Sequence, residues 1–132
     1  MKSNNKKPLV ILAEDEKDLR EIYTMALTAK GFEIIPVEDG KQLYEELSKR
    51  YEEVDIILLD VVMPHLDGFE ALKKIKADKK YEHIPVIMST NLSQYKDKQE
   101  AFSLGADEYF IKSEKTPQQL AGDAWNIYES KK

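Results

Sequence analysis

Four consecutive apolar residues, Ile56-Ile57-Leu58-Leu59, run without a break into Asp60. An apolar run of that length reads as a strand covered on both faces, as in a parallel sheet. Asp60 then stands where a buried strand ends. An ionised carboxylate there needs a metal, a cation or hydrogen-bond donors, because burying it unpaired is very costly. After Asp60 the chain turns through Val61-Val62-Met63-Pro64-His65-Leu66-Asp67-Gly68, with Pro64 and Gly68 as the turn residues.

The rest of the chain repeats the strand-then-helix alternation. Leu9 to Ala13 is a short buried strand that ends on Glu14-Asp15-Glu16. Leu19, Ile22, Tyr23, Ala26 and Leu27 then recur at helical spacing, and Gly31 is a helix stop. Phe32 to Val37 is a second strand, and Asp39-Gly40 turns into a helix with apolar positions Leu43, Tyr44, Leu47 and Tyr51. Val54 to Leu59 is the third strand. Asp67-Gly68-Phe69-Glu70 resembles a capping box opening a helix that carries Phe69, Leu72 and Ile75. Val86 to Thr90 is a fourth strand, Asn91 to Leu104 contains a polar helix, and Glu108 to Ile111 is a fifth strand ending at Lys112. Thr116-Pro117 starts the last helix, with Leu120, Ala124, Ile127 and Tyr128 as its stripe. Five strands alternating with five helices predict an α/β fold: a parallel sheet, helices on both faces, right-handed crossovers.

The totals narrow the function classes. The 132 residues fit one domain, 42% hydrophobic and 34% charged. No cysteine is present, so there is neither a disulfide framework nor a thiolate metal site. A net charge of -5 argues against nucleic-acid binding. No run approaches a membrane span, and the apolar run after the basic start stops too soon for a signal peptide, so the expected compartment is the cytoplasm. His65 and His83 lie far apart in loops and give no zinc reading.

In sheets of this kind ligands bind beyond the carboxyl ends of the strands. The residues there are Glu14 and Asp15, Asp60, Thr90 and Lys112. Three carboxylates at one edge call for a cation, and hard oxygen ligands suit Mg²⁺. A carboxylate can attack phosphorus to form an acyl phosphate, and Lys112 and Thr90 would offset charge on the phosphoryl oxygens. Each residue alone has a blander reading. Asp15 could cap the first helix, Asp67 reads as a cap rather than a ligand, Tyr109 as a core aromatic, and Trp125 as packing on the last helix.

Together, four segments give a specific resemblance: Glu14-Asp15, Asp60-x-x-Met63-Pro64-x-x-Asp67-Gly68, Pro85-Val86-Ile87-Met88-Ser89-Thr90, and Gly105-Ala106-Asp107-Glu108-Tyr109-Phe110-Ile111-Lys112. From about Leu9 to about Tyr128 the chain resembles a response-regulator receiver domain of two-component signalling. The resemblance implies a flavodoxin-like (βα)5 fold, doubly wound, with a five-stranded parallel sheet of order 2-1-3-4-5. It implies residues 9–130 as a single receiver domain behind a flexible N-terminal tail, 1–8. Asp60 matches the phosphoacceptor. Glu14, Asp15, Asp60 and the backbone carbonyl of Val62 match the ligands of Mg²⁺, with Mn²⁺ as a substitute. Thr90 matches the switch hydroxyl, Lys112 the cation beside it, and Tyr109 the aromatic switch residue that turns inward when Thr90 moves. The implied donor is a histidine kinase or a histidine phosphotransfer protein. The output is a downstream protein effector, reached through the face made by the helix of Asn91 to Leu104, the strand at Tyr109 and the helix of Pro117 to Ser130. The same face is available for a homodimer. Such a protein is a regulator that catalyses its own phosphorylation and dephosphorylation, not a metabolic enzyme.

Two positions depart from the family's pattern, and two others bear on the lifetime of the phosphorylated state. Lys112 is followed by Ser113 instead of proline in a cis peptide, which leaves the loop trans or strained. Asn91 replaces a small residue beside Thr90. Val62 and Leu92, at the positions that influence dephosphorylation in the family, are apolar, and predict slow autodephosphorylation. Other functions fit less well. An aspartate-based phosphatase would want an acid at Val62. A flavin binder would want a phosphate-cradling loop where Glu14-Asp15 stands. A receiver-like module that binds partners without phosphorylation is the alternative that Asn91 and Ser113 keep alive.

Overall fold

The computed structural model describes residues 6–131. The expected tail therefore lies, in its first five residues, outside the described part. In chain order the elements are β1 (Leu9–Ala13), α1 (Lys17–Lys30), β2 (Glu33–Val37), α2 (Gly40–Arg50), β3 (Val54–Leu59), β4 (Val62–Met63), β5 (Leu66–Asp67), α3 (Gly68–Ala77), β6 (Val86–Thr90), α4 (Tyr95–Ser103), β7 (Glu108–Ile111) and α5 (Pro117–Ser130).

The unbroken apolar runs are strands because both their faces are covered. Along β1, Leu9, Ile11 and Ala13 join one core cluster and Val10 and Leu12 the other. Along β3, Ile57 and Leu59 alternate with Ile56 and Leu58 in the same way. The first cluster is closed by Leu43 and Leu47 of α2, Leu72 and Ile75 of α3 and Ala101 of α4. The second is closed by Tyr23 and Leu27 of α1 and Leu120 and Ala124 of α5. Each fully buried Ile or Leu is worth about 2 kcal/mol of transfer free energy.

The sheet runs β2-β1-β3-β6-β7, all parallel. Counting its strands alone, this is the expected order 2-1-3-4-5 of a doubly wound, flavodoxin-like sheet. The chain steps from β1 out to β2, then returns to place β3 on the other side of β1. That reversal opens a crevice at the carboxyl ends of β1 and β3. Ala13 pairs with Leu59 there, so Glu14 and Asp60 leave the sheet side by side.

Helix starts follow the sequence signals in three cases. Asp39 accepts from the Gln42 amide, Asp67 from the Phe69 and Glu70 amides, and Thr116 forms a reciprocal capping box with Gln119. Asp15 does not cap α1. The N-cap is Glu16, and it makes no side-chain cap bond. Gly31 ends α1 at φ 125°, where its missing Cβ leaves room for the Trp125 ring against it. Trp125 also meets Phe32 edge-on at 5.2 Å, a packing role.

Three features differ from, or add to, the sequence reading. Ile22, expected on the buried stripe of α1, is 45% exposed, because Tyr23 and Leu27 already fill the contact with the sheet. The turn after Asp60 is a small antiparallel hairpin, β4 paired with β5, with His65 at φ 59°. Two-residue strands are too short to show periodicity, so only their turn residues were visible. No cis peptide occurs among the described residues, so Lys112-Ser113 is trans.

Candidate functional site

The crevice between β1 and β3 holds a cleft of about 300 Å³. Asp15, Asp60, Thr90 and Lys112 line it, and so do Val62, Asn91 and Leu92. Asp60 is placed by β3: its amide donates to the Ala13 carbonyl at 3.3 Å, and its side chain is nearly sealed, the residue being 6% exposed. One carboxylate oxygen accepts from the Val62 amide at 3.2 Å, and the other from the Lys112 ammonium at 3.0 Å.

Lys112 follows the edge strand β7, and its amide is held by the Thr90 carbonyl at 2.8 Å. Its Nζ bridges Asp60 and Glu14, making a close ion pair with each. Glu14 is 2% exposed, and its second oxygen accepts from the Glu16 amide at 3.1 Å. Glu14 therefore stands behind the cleft, while Asp15 is the least buried of the three acids. Each acid places a carboxylate oxygen within 4.8 Å of the other two.

Burial pushes the Asp60 carboxyl up from its ordinary range, and Lys112 and the Val62 amide pull it only part of the way back. Glu14 behaves alike: burial raises it against the bond from Lys112. Burial alone would lower Lys112, but Glu14 and Asp60 more than reverse that, so its ammonium is retained. The ionised cluster sets three carboxylates against one ammonium, leaving unbalanced negative charge. All-oxygen donors with excess negative charge at a solvent-open cleft are what a hard divalent cation such as Mg²⁺ takes. The residues present fit that ion.

Thr90 is 2% exposed, and its Oγ1 accepts from the Leu92 amide at 3.3 Å. The Leu92 carbonyl in turn accepts from the Tyr109 hydroxyl at 2.8 Å. The Tyr109 ring, expected to turn inward with Thr90, is already buried here, at 5% exposure. One peptide segment thus joins the cleft hydroxyl to an aromatic on β7. Neither departure in the sequence displaces the cluster. Ser113 leaves Lys112 within reach of Asp60, and Asn91 lines the cleft while staying exposed. The sequence reading missed Arg20, which donates to the Glu14 and Asp15 carbonyls. In the sequence it is one more charge among the polar positions of α1, and no spacing rule singles it out.

The response regulator receiver domain model matches residues 10–122. The chain belongs to that family. It is 33% identical over 107 residues to the chemotaxis protein CheV2 of Helicobacter pylori, covering 80% of this chain and 34% of that protein. It is 35% identical over 103 residues to the regulatory protein VanRc of Enterococcus gallinarum, covering 78% and 42%. The receiver thus spans roughly a third to two fifths of the length of these curated relatives. Among solved structures, the chemotaxis response regulator CheY4 of Vibrio cholerae superposes with a TM-score of 0.82 at 26% identity, over 92% of this chain and 99% of that one. The receiver domain of the Francisella response regulator 1452 gives 0.85 at 26% identity, over 95% and 99%. No helix among the described residues is long and apolar enough to cross a membrane.

The inward Tyr109 has a spectroscopic consequence. Burial, with Asp97 adding to it, pushes the phenol up from 10 to about 12. Its proton is bound more tightly folded than unfolded. The resulting stability is complete below pH 10 and is lost as pH rises through about 12. An ultraviolet titration of the seven tyrosines should show a component near 12 that Tyr109→Phe removes.

Proposed function

We propose that this receiver domain, residues 9–130, accepts a phosphoryl group from phosphohistidine on a histidine kinase or histidine phosphotransfer protein, onto Asp60. The observation that carries this reading is Asp60 itself, a buried carboxylate facing a cleft, with an ammonium at 3.0 Å and two further carboxylates beside it. An Asp60 oxygen forms the new P–O bond as the donor's P–N bond breaks. The electron pair leaves on the imidazole nitrogen, which regains a proton from water. Glu14, Asp15, Asp60 and the Val62 carbonyl would hold Mg²⁺, or Mn²⁺ in its place. The ion supplies positive charge to the phosphoryl oxygens. Lys112 offsets charge on the remaining oxygens from the β7 side, and the Thr90 hydroxyl donates to them once it turns from the Leu92 amide.

That turn is the switch. Thr90 and Tyr109 act on the same residue, Leu92, just before α4. Moving one changes the packing of the other and so the face made by α4, β7 and α5. A downstream protein effector reads that face, or a second copy binds it. The domain works in the cytoplasm as a signalling switch that makes and breaks its own aspartyl phosphate.

The test is intact mass after incubation with a small phosphodonor. One adduct, formed with Mg²⁺, absent with chelator and mapping to the peptide that contains Asp60, is expected. An adduct indifferent to chelator would sink the reading.

Lifetime follows from the cleft wall. Val62 is 64% exposed and Leu92 half-buried, and neither can hydrogen-bond an attacking water. Val62→Asn with Leu92→Glu should speed decay of the adduct about tenfold, the worth of one positioned hydrogen bond of about 1.4 kcal/mol. Decay at the wild-type rate would count against it.

A further inference from the structure

Arg20 lies one turn into α1, with its side chain only 17% exposed. Its Nη1 donates to the carbonyl oxygens of Glu14 at 2.8 Å and of Asp15 at 3.2 Å. Those two carbonyls belong to the peptide groups on either side of Asp15. A residue has only two soft backbone dihedrals between its flanking peptide planes. Holding both planes from one nitrogen therefore sets φ and ψ of Asp15, and with them the direction in which its carboxylate leaves the chain.

The loop has one other brace there, the Glu14 carboxylate, which accepts from the Glu16 amide at 3.1 Å. The N-cap Glu16 makes no side-chain bond to the helix start. Upstream, the Glu14 amide is tied to the Val37 carbonyl of β2 at 3.0 Å. Nη2 of Arg20 reaches Glu38, the next residue after β2, at 3.5 Å. The guanidinium is planar and pre-organised, so it fixes these groups with less loss of freedom than a lysine would.

We propose that Arg20 is a positioning residue for the divalent-cation site, acting through the backbone of Asp15. The inference rests on the metal-dependent reading above. It has a sign that separates it from simple electrostatics. A guanidinium close to carboxylates repels an incoming cation, so deleting its charge should tighten Mg²⁺ binding on Coulomb grounds alone. Deleting the brace should weaken it. Loss of a partner that orients a ligand costs ten- to a hundredfold in affinity.

Mg²⁺ binding to the unphosphorylated full chain is measured by calorimetry for wild type, Arg20→Gln and Arg20→Lys. Arg20→Gln is expected to bind about tenfold more weakly. Arg20→Lys, which keeps the charge and one donor, should fall in between. In phosphorylation by a small donor, Arg20→Gln should raise the Mg²⁺ concentration for half-maximal rate by a similar factor and keep the rate at saturating Mg²⁺. A merely structural role would lower the maximal rate without moving that concentration. Equal or tighter binding by Arg20→Gln overturns the proposal. If Arg20→Gln does not fold, wild-type affinity in Arg20→Lys overturns it. Failure of the wild type to bind Mg²⁺ at all would overturn the metal-dependent reading beneath it, a distinct result.

Discussion

Asp60→Asn is expected to accept no phosphoryl group and, with chelator present, to melt higher than the wild type. The loss follows from chemistry: a neutral amide is no nucleophile toward phosphorus under these conditions. The gain follows from burial. Burial penalises the charged form of Asp60 in its nearly sealed position, beside two more carboxylates and one lysine. Asn keeps the shape, leaves Lys112 paired with Glu14 and removes one of the crowded charges. Relieving a functional site in this way is worth roughly 1 kcal/mol, or about 4 °C for a domain of this size. Mg²⁺ should invert the order. A ligand at a hundred times its dissociation constant stabilises by about 2.7 kcal/mol, and the wild type keeps one more charged ligand than the variant. Melting curves with chelator and with saturating Mg²⁺, read beside intact mass, check all three statements. A lower melting temperature for Asp60→Asn in chelator would mean that Asp60 is there for stability.

Gly68→Ala should cost about 3 kcal/mol and displace the site as well. A Cβ at Gly68 would stand 2.5 Å from both the Asp60 carbonyl oxygen and the Val61 Cα, and 3.0 Å from the Val61 carbonyl oxygen. All three are backbone atoms just beyond the end of β3, so no side chain can swing aside. The Gly68 amide also donates to the Val61 carbonyl at 2.8 Å, which keeps the start of α3 pressed against the segment that carries Asp60. Making room must move Asp60. Urea unfolding should show the loss, and phosphorylation by a small donor should fall in the protein that remains folded. Gly122→Ala is the control. Nothing lies within 4 Å of a Cβ there, and in the middle of α5 alanine should add up to about 1 kcal/mol. Equal stabilities for the two variants would refute the steric account of Gly68.

Much of this could be read from the chain alone, for a definite reason. Runs such as Leu9 to Ala13 and Ile56 to Leu59 carry no alternation, and only burial on both faces permits that. The parallel sheet with helices on both sides follows. The acids, hydroxyl and amine that follow the strands must then share one edge, whatever the order of the strands. Asp39, Asp67 and Thr116 announce helix starts because the cap is a local bond, made within three residues.

What stayed hidden depends on distance in space between parts far apart in sequence. Lys112 lies 98 residues from Glu14, yet the two form the innermost ion pair of the site. No local pattern says that Glu14 would sit behind the cleft while Asp15 faces it. The exposure of Ile22 was decided by how α1 rolls against the sheet, with Tyr23 meeting Phe110 edge-on at 6.4 Å. Arg20 reads as a solvated charge until the Glu14 and Asp15 carbonyls are seen to converge on it. Sequence by itself determined which groups meet at the sheet's edge, because strand ends and helix caps are local and burial is periodic. Only the tertiary structure decided which of those groups neutralises which, because charge pairing depends on approach within a few ångströms, and the packing of remote segments sets that approach.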